Sequence, residues 1–339
     1  MKLIRTEDAV GHVLCHDMTQ IIKDKYKDAR FRKGHVVTEE DIPVLLSMGK
    51  EHLYVWEMTS GMVHENDAAE RLLALCGQEN MIRSGVKEGK IELKAACDGV
   101  FLVDSARLVA VNSQDEVMIA TRKGGMAVRE GDKLAGMRVI PLIIEEEKLR
   151  KAEQAAGDKP LLSLKPYVRK TACIVATGGE VKKGLIKDTF TPVVIDKLKT
   201  YGIETLEVVC SGDGVENVRD AVLAMREKKP DMILCTGGMS VDPDDNTPGG
   251  IKAAGANIVA YGAPVLPGAM FLLGYFDDGM PVMGLPGCVM YAGATVFDLV
   301  LPKIAADVPV TRADLAALGE GGLCLGCKPC HYPICPFGK

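Results

Sequence analysis

Apolar runs and amphipathic stretches alternate along the second half of the chain, and their order predicts an α/β domain. Residues 171–177 form a largely apolar run of the kind found in buried strands, and residues 203–210 and 232–236 repeat it. After the first run, Val194 and Leu198 share one face at helical spacing. Such a βαβαβ order predicts a parallel sheet with right-handed crossovers.

The chain beyond this βαβαβ unit reads as a hairpin followed by a last helix. Residues 271–287 contain two apolar runs that turn at Asp277 to Gly279, and residues 291–304 have the apolar spacing of a helix. Together with the preceding elements, they predict a three-layer α/β domain over residues 168–310. In this domain, helices cover both faces of a parallel-type sheet.

The first half of the chain has a weaker pattern and predicts a smaller α+β, β-rich region. Residues 1–60 read as an α+β segment whose helix starts at Thr38 to Asp41 and stops at Gly49. Residues 61–155 read as a β-rich domain that ends in a connecting helix, and residues 320–339 as a cysteine-rich tail.

Three short apolar runs within the β-rich domain are interpreted as strands, at residues 99–104, 108–112 and 117–122. The charged run 145–160 contains Gly157 and ends in a proline, which predicts the connecting helix. We place the domain boundary after this helix.

Composition and charge exclude several classes of protein. The 339 residues suggest two domains, and 47% apolar with 26% charged residues is ordinary for a soluble protein. The net charge of −5 argues against nucleic-acid binding. The sequence contains no run of about 18 apolar residues, which is the length that a membrane-spanning helix needs. Of the eleven cysteines, Cys173 and Cys235 sit in apolar runs and four crowd near the end, which fits a reducing cytoplasm.

The loops that follow the predicted strands carry the candidate chemistry, because ligands of open α/β sheets bind at the carboxyl ends of strands. Residues 176–184, 210–214 and 235–248 all contain adjacent or nearly adjacent glycines. Glycine lets backbone N–H groups approach an anion, and a following helix adds a favourable dipole. Hydroxyl donors are offered by Thr236, Ser240 and Thr247. We favour a phosphate or oxyanion site over the alternative that the glycines only end strands.

The familiar nucleotide fingerprints are absent. Gly212 and Gly214 give a G-x-G pair, but Asn217 stands where a third glycine is required. A G-x-x-x-x-G-K-[ST] loop does not occur either. Any phosphate must therefore be held by a different loop architecture.

Acidic residues in the third loop create a charge conflict with a bound anion. Asp242, Asp244 and Asp245 would repel a phosphate unless a cation lies between them. Mg²⁺ held by one or two carboxylates and by ligand oxygens removes the conflict, and Asp188 is a further candidate ligand. The alternative is a solvated acidic turn in which an aspartate caps the following segment.

Three motifs resemble the molybdopterin-binding fold family. Residues 236–248 resemble its T-G-G turn with a following acidic residue, and residues 176–190 resemble its first turn, with T-G-x-E and a later Asp. Residues 283–304 resemble the G-L-P-G turn and helix of molybdopterin molybdotransferases, which insert molybdenum into molybdopterin. The likeness covers roughly residues 170–302.

The resemblance implies a site for molybdopterin or molybdopterin-adenylate, with molybdate as second substrate and a homodimeric assembly. Asp188, Asp242 and Asp245 would be catalytic, and Asp242, Asp244 and Asp245 would hold Mg²⁺. The implied cofactor-binding residues are Thr177, Gly178, Gly179, Glu180, Thr236, Gly237, Gly238, Ser240, Thr247, Pro248, Gly284, Pro286, Gly287 and Cys288.

The chain also departs from the transferase pattern. The S-A-M-D-G-Y block of the N-terminal half is missing, and Cys288-Val289 replaces the usual Asn-Pro. A non-enzymatic sensor or carrier of the cofactor is therefore one alternative. Another is the competence-damage-inducible family of nucleotide pyrophosphatases, because Asp244, Asp245 and Thr247 match its D-D-x-T pattern.

The cysteine tail has the spacing C-x2-C-x2-C-x4-C, followed by Pro336. This is one residue longer than the bacterial iron–sulfur run, and four thiolates can also bind a tetrahedral Zn²⁺, with His331 as an alternative ligand. The other reading is a flexible tail with reduced thiols. The candidate ligands are Cys324, Cys327, Cys330 and Cys335.

Overall fold

The chain forms two compact units. The structure, a computed structural model, describes residues 2–22, 26–55, 61–179, 187–243 and 245–339. The first unit comprises residues 1–96, 103–122 and 131–163. The second comprises residues 97–102, 123–130 and 164–339, so it is discontinuous in sequence.

Short strands and helices make up the first half of the chain. In chain order they are β1 (Lys2–Arg5), β2 (Met18–Ile22), β3 (Tyr26–Phe31), α1 (Asp41–Ser47), β4 (His52–Val55), β5 (Met62–His64), α2 (Glu65–Leu75), β6 (Met81–Arg83), β7 (Ile91–Ala95), β8 (Gly99–Val103), α3 (Ser105–Asn112), β9 (Val117–Thr121), β10 (Met126–Val128), β11 (Lys133–Val139), β12 (Ile143–Glu145) and α4 (Glu146–Ala156).

The first unit is held by small antiparallel sheets. β1 pairs with β4, β2 with β3 and β5 with β12, and a four-stranded sheet has the order β6-β7-β11-β9. The predicted helix α1 is confirmed, and the chain turns after it at Gly49, whose φ is +76°. Leu14, Leu45 and Leu53 belong to a hydrophobic cluster that anchors these first elements.

One predicted strand of the β-rich region is wrong. Residues 108–112 belong to helix α3 rather than to a strand. The carboxylate of Asp104 accepts a hydrogen bond from the backbone N–H of Arg107 at 3.1 Å and so caps the helix. Only Val111 of this helix is buried, so the apolar run 108–112 does not form a buried strand. The Asp104 cap is the sequence signal that indicates a helix here. The connecting helix is confirmed as α4.

The second half of the chain continues with longer alternating elements. They are β13 (Leu162–Pro166), β14 (Thr171–Thr177), α5 (Phe190–Lys199), β15 (Glu204–Ser211), α6 (Val215–Glu227), β16 (Met232–Thr236), α7 (Thr247–Ala253), β17 (Asn257–Tyr261), β18 (Leu272–Tyr275), β19 (Pro281–Leu285), α8 (Val296–Ala305) and α9 (Arg312–Ala317). A 3₁₀ turn, Gly287–Met290, precedes α8.

A six-stranded sheet of order β15-β14-β16-β19-β18-β17 organises the second unit. The pairs β15–β14, β14–β16 and β16–β19 are parallel, whereas β18 is antiparallel to both β17 and β19. β18 and β19 are the predicted hairpin. A smaller sheet, β10-β8-β13, belongs mostly to the same unit.

Helices cover both faces of the six-stranded sheet. Ile174 packs in one hydrophobic cluster with residues of α5 and α8, while the neighbouring Cys173 and Val175 pack in another with residues of α6 and α7. Strands that bury both faces are continuously apolar, which explains the sequence pattern of β14 and β16. The predicted three-layer α/β fold is confirmed. None of the helices in the described ranges combines the length and apolarity needed to cross a membrane.

Candidate functional site

The glycine turns lie at one edge of the six-stranded sheet. Because β14, β15, β16 and β19 are parallel, their carboxyl ends share that edge. β17 also ends there, since two antiparallel steps through β18 make it parallel to β19. The topology therefore brings together most of the loops that the sequence singled out.

Buried threonines join the turns after β14 and β16. Thr177 Oγ1 donates to the carbonyl of Thr236 at 2.9 Å and lies 3.0 Å from Thr247 Oγ1. Thr247 Oγ1 in turn donates to the carbonyl of Gly237 at 2.9 Å. All three threonines are buried. The hydroxyls of Thr177 and Thr247, predicted to contact a ligand, are thus engaged in holding the turns.

Gly237 and Gly238 have left-handed backbone conformations, with φ values of +81° and +58°. A Cβ at Gly237 would lie 2.3 Å from the carbonyl oxygen of Thr177, and one at Gly238 would lie 2.6 Å from Thr247 Oγ1. Both the torsion and the space therefore require glycine.

The turn after β14 already binds a carboxylate. The backbone N–H of Gly179 donates to Asp213, at 3.0 Å to Oδ2 and 3.2 Å to Oδ1, and the N–H of Gly178 donates to the carbonyl of Ser211. The N–H of Gly179 is therefore directed at an anionic group. Asp213 was not predicted individually, although its position in the second glycine loop was the available signal. Glu180 lies outside the described residues.

The acidic loop is folded by one of its own carboxylates. Asp245 Oδ2 accepts the backbone N–H of Ser240 at 3.0 Å, and the N–H of Asp245 donates to the carbonyl of Asp242 at 2.9 Å. The side chain of Asp242 is exposed. Asp244 lies outside the described residues. Pro248 is in the first turn of α7.

Tyr261 is a residue of this edge that the sequence reasoning missed. Its hydroxyl donates to the carbonyl of Met239 at 2.9 Å and so fastens the acidic loop to the end of β17. Burial, reinforced by the negative charge of Asp245, raises the pKa of the Tyr261 hydroxyl. The signal was an aromatic residue at a strand end, but its relevance depends on the direction of β17.

Asp188 caps helix α5. Its Oδ1 accepts the backbone N–H groups of Phe190 and Thr191 at 2.9 and 3.0 Å. The adjacent Thr189 donates from Oγ1 to the sulfur of Met290 at 3.1 Å, which places Asp188 close to the Gly287–Met290 turn. The capping role accounts for one carboxylate oxygen.

The G-L-P-G segment closes the edge from β19. Gly284 lies within the strand, where a Cβ would come 2.5 Å from the sulfur of Met239, so it packs against the neighbouring turn rather than facing outward. Pro286 accepts the N–H of Val289 at 3.0 Å as the 3₁₀ turn begins at Gly287. Burial raises the pKa of the half-buried Cys288 thiol.

The acidic loop has a donor set that suits Mg²⁺ only in part. Across the described ranges, no three thiol, imidazole or carboxylate side chains are close enough together to hold one metal ion. Mg²⁺, however, is usually bound by one or two carboxylates together with waters and ligand phosphates. For the exposed Asp242 and for Asp245, that smaller role stays a prediction.

Comparison with known families agrees with this topology. Residues 173–306 match a family described as "Probable molybdopterin binding domain". The matched residues lie in the second unit. Residues 3–57 match a family described as "Domain of unknown function (DUF8806)".

Individual relatives are similar over part of the chain. A CinA-like protein of Desulfosudis oleivorans is 35% identical over 81 residues, which cover 24% of this chain and 19% of that protein. The match thus spans less than a fifth of the relative's length. The solved molybdopterin biosynthesis enzyme MoaB from Thermus thermophilus is 17% identical, with 42% of this chain and 98% of that chain covered and a TM-score of 0.36. The molybdopterin biosynthesis MoeA protein from Pyrococcus horikoshii is 15% identical, with 76% of this chain and 82% of that chain covered and a TM-score of 0.34.

Proposed function

We propose that the second unit binds the phosphate-bearing end of molybdopterin, or of molybdopterin-adenylate, on the glycine turns of the sheet edge. The observation that carries the proposal is the pair of left-handed glycines, Gly237 and Gly238, held against the turn after β14 by Thr177 and Thr247. Rigid turns of this kind hold backbone N–H groups in fixed positions, which lowers the ordering cost of binding an anion. The proposed domain spans residues 168–310.

The contact between Gly179 and Asp213 supports an anion at this edge. An aspartate carboxylate now receives the Gly179 N–H, and a phosphate offers the same kind of acceptor oxygen. Because the two anions would repel each other, a phosphate bound there displaces Asp213. The substitution Asp213→Asn should accordingly strengthen phosphate binding.

The acidic loop would supply the countercharge. Asp242 and Asp245 would hold Mg²⁺, which would place positive charge beside the ligand phosphate. In a molybdotransferase-like reaction, molybdopterin-adenylate and molybdate are the substrates and AMP is released. The chain's own contribution is to orient the phosphate on the glycine turns and to hold the ion at the leaving group.

Two other functions have support from specific observations. The CinA-like relative, together with the Asp244, Asp245 and Thr247 pattern, favours a nucleotide pyrophosphatase. The replacement of Asn-Pro by Cys288-Val289 favours a carrier or sensor that binds the cofactor without turnover. We place the transferase first because the G-L-P-G turn and helix α8 follow the transferase pattern. The proposal includes a cytoplasmic homodimer, as that resemblance implies.

Titration of the full chain with molybdopterin and its adenylate, with and without Mg²⁺ and molybdate, separates the three functions. Molybdate-dependent AMP release supports the transferase, and tight binding without turnover supports the carrier. Hydrolysis of a dinucleotide without pterin affinity supports the pyrophosphatase.

A pair of variants tests the role of the acidic loop. Asp242→Asn should lower Mg²⁺-dependent AMP release by about 100-fold, a typical loss when one electrostatic contact to the transition state is removed. Asp196→Asn is the matched control, because Asp196 is an exposed aspartate of α5 paired with Lys199. Equal rates for both variants and the unmodified chain contradict a role for Asp242.

A further inference from the structure

The C-terminal tail lines a cavity of about 330 Å³ in the second unit. The opposite part of the wall is formed by Pro267 and residues 291–294, which precede α8. Most of the wall is apolar. Its thiol, imidazole and ammonium groups belong to Cys324, Cys327, Lys328, Cys330, His331 and Cys335.

The tail is packed into the domain, so this cavity is a built feature. Phe337 is only 2% exposed and belongs to the same hydrophobic cluster as α8. The hydroxyl of Tyr332 donates to the carbonyl of Asp298 at 3.0 Å, and the N–H of Cys324 donates to the carbonyl of Leu266 at 2.8 Å. Both ends of the cysteine segment are therefore fixed, which argues against a loose tail.

The cavity wall leaves space only for glycine at one point. A Cβ at Gly293 would lie 2.8 Å from both Cβ and Sγ of Cys330. The thiol of Cys330 is thus seated against the backbone of the loop before α8. Cys324 and Cys335 are half-buried, while Cys327 and Cys330 are exposed.

A single metal ion and a cluster place different demands on four thiols. With Zn–S bonds of about 2.3 Å, four sulfurs around one Zn²⁺ lie about 3.8 Å apart. No three metal-binding side chains of the described residues, which include the whole tail, are close enough together to share one ion. All four tail cysteines nevertheless line one cavity. In a four-iron cluster each thiolate binds a different iron atom, so the four ligands need to surround one cavity rather than meet at one ion.

We propose that the tail binds a [4Fe–4S] cluster through Cys324, Cys327, Cys330 and Cys335. The first three follow the C-x2-C-x2-C spacing of the bacterial iron–sulfur run, in which the fourth cysteine binds a second cluster. Here Cys335 is assigned to the same cluster because it lines the same cavity as the other three. The extra residue before the fourth cysteine lies in the turn in which the N–H of Ile334 donates to the carbonyl of His331.

The surroundings carry groups that favour an anionic centre. Each thiol releases its proton when it binds iron, so four negative charges are introduced. Lys328 in the wall offsets part of this charge, and the apolar side chains of Pro267 and Phe337 limit access of water.

Anaerobic reconstitution of the full chain with ferrous iron and sulfide tests the proposal without any pterin, so its failure is distinct from failure of the proposed function. We expect about four iron and four sulfide per chain, with visible sulfur-to-iron absorption and an electron paramagnetic resonance signal after reduction. Cys327→Ser and Cys330→Ser change exposed residues and should lower iron to less than about one per chain. Gly293→Ala should also reduce loading, because it crowds Cys330.

Cys210→Ser is the matched control, since Cys210 is an exposed cysteine of β15 outside the tail. It should keep full iron content. The proposal is overturned if the chain binds one zinc without sulfide, or if it stays metal-free while circular dichroism shows it folded. Equal iron loss in Cys210→Ser and the tail variants also overturns it.

Discussion

Gly237 shows how a single residue position fixes the geometry of the sheet edge. Its φ of +81° is costly for any residue with a Cβ, and the space beside it is filled by the carbonyl of Thr177. The two effects are separable, because the torsion acts within the residue while the contact acts between neighbouring turns. Gly255 offers the comparison, with a φ of +91° and no atom within 4 Å of a built Cβ.

We predict that Gly237→Ala lowers the free energy of unfolding clearly more than Gly255→Ala. The control should cost about 1–2 kcal/mol, the price of the left-handed conformation alone. The Gly237 variant adds an overlap at 2.3 Å, which must move the turn and should weaken ligand binding as well. Urea unfolding of both variants measures the difference, and equal losses would show that the turn relaxes without resistance.

At this edge, the sequence predicted a residue's role only where the backbone conformation restricts which residue types can occupy the position. The glycines of the turns stood out because few other residues adopt their torsions. The hydroxyl of Thr177 was expected to face a ligand, yet its partners Thr236 and Thr247 are 59 and 70 residues away in sequence. Such partners follow from strand order. Tyr261 escaped notice for the same reason.

At the scale of elements, periodicity predicted the core of the second unit well. β14 and β16 are continuously apolar because both of their faces are buried. The helices α5 and α6 bury one face each, so their apolar residues recur at helical spacing. Helix α3 was misread because its apolar run is short and its start depends on the Asp104 cap. The antiparallel edge β18-β17 needed tertiary pairing to be recognised.

Asp231 ties together the amino ends of β14 and β16. Its Oδ2 accepts the N–H of Lys170 at 2.7 Å, and the N–H and hydroxyl of Thr171 each at 2.9 Å. Burial by itself raises the pKa of this carboxyl, but these hydrogen bonds outweigh it and the net pKa is lowered. A carboxyl with a lowered pKa in the folded state stabilises the fold above its unfolded pKa of about 3.9.

We predict that Asp231→Asn destabilises the protein by about 1–3 kcal/mol at neutral pH, because hydrogen bonds to a charged acceptor are lost. The difference from the unmodified chain should shrink as pH falls below about 4, since protonation removes the same charge there. Urea midpoints between pH 7 and pH 3 measure this. The exposed Asp220→Asn is the control, and a difference independent of pH would contradict the charge argument.

The tail offers a second prediction at the scale of elements. Phe337 fills a site in the core beside α8, and emptying such a site costs about 3–5 kcal/mol. Phe337→Ala should therefore release the tail to limited proteolysis while the six-stranded sheet stays folded. Ile334→Ala removes a side chain that is 87% exposed and should leave the cleavage pattern unchanged. Resistance of both variants would show that the tail is held by other contacts.

At the scale of the whole molecule, the proposed sites lie in one of the two units. The second unit contains the described candidate residues, from Thr177 to Cys288, and also the cysteine cavity. The six-stranded sheet of this unit has its own hydrophobic clusters. The first unit has a separate cluster around Leu14 and Leu45. The sequence alone indicated the α/β domain, but not that residues 97–102 and 123–130 join it.

Ligand binding should therefore stabilise one unit selectively. A ligand at 100 times its Kd adds about 2.7 kcal/mol to the unit that binds it. We predict that molybdopterin-adenylate slows amide hydrogen exchange in the second unit, most strongly at residues 237–246, while peptides from residues 2–22 and 61–96 exchange as before. Asp242→Asn should reduce this protection in the presence of Mg²⁺, and Asp196→Asn should retain it. Equal protection in both units would contradict a site confined to the second unit. A ligand slows exchange only where the opening of the structure would break its contacts with the protein.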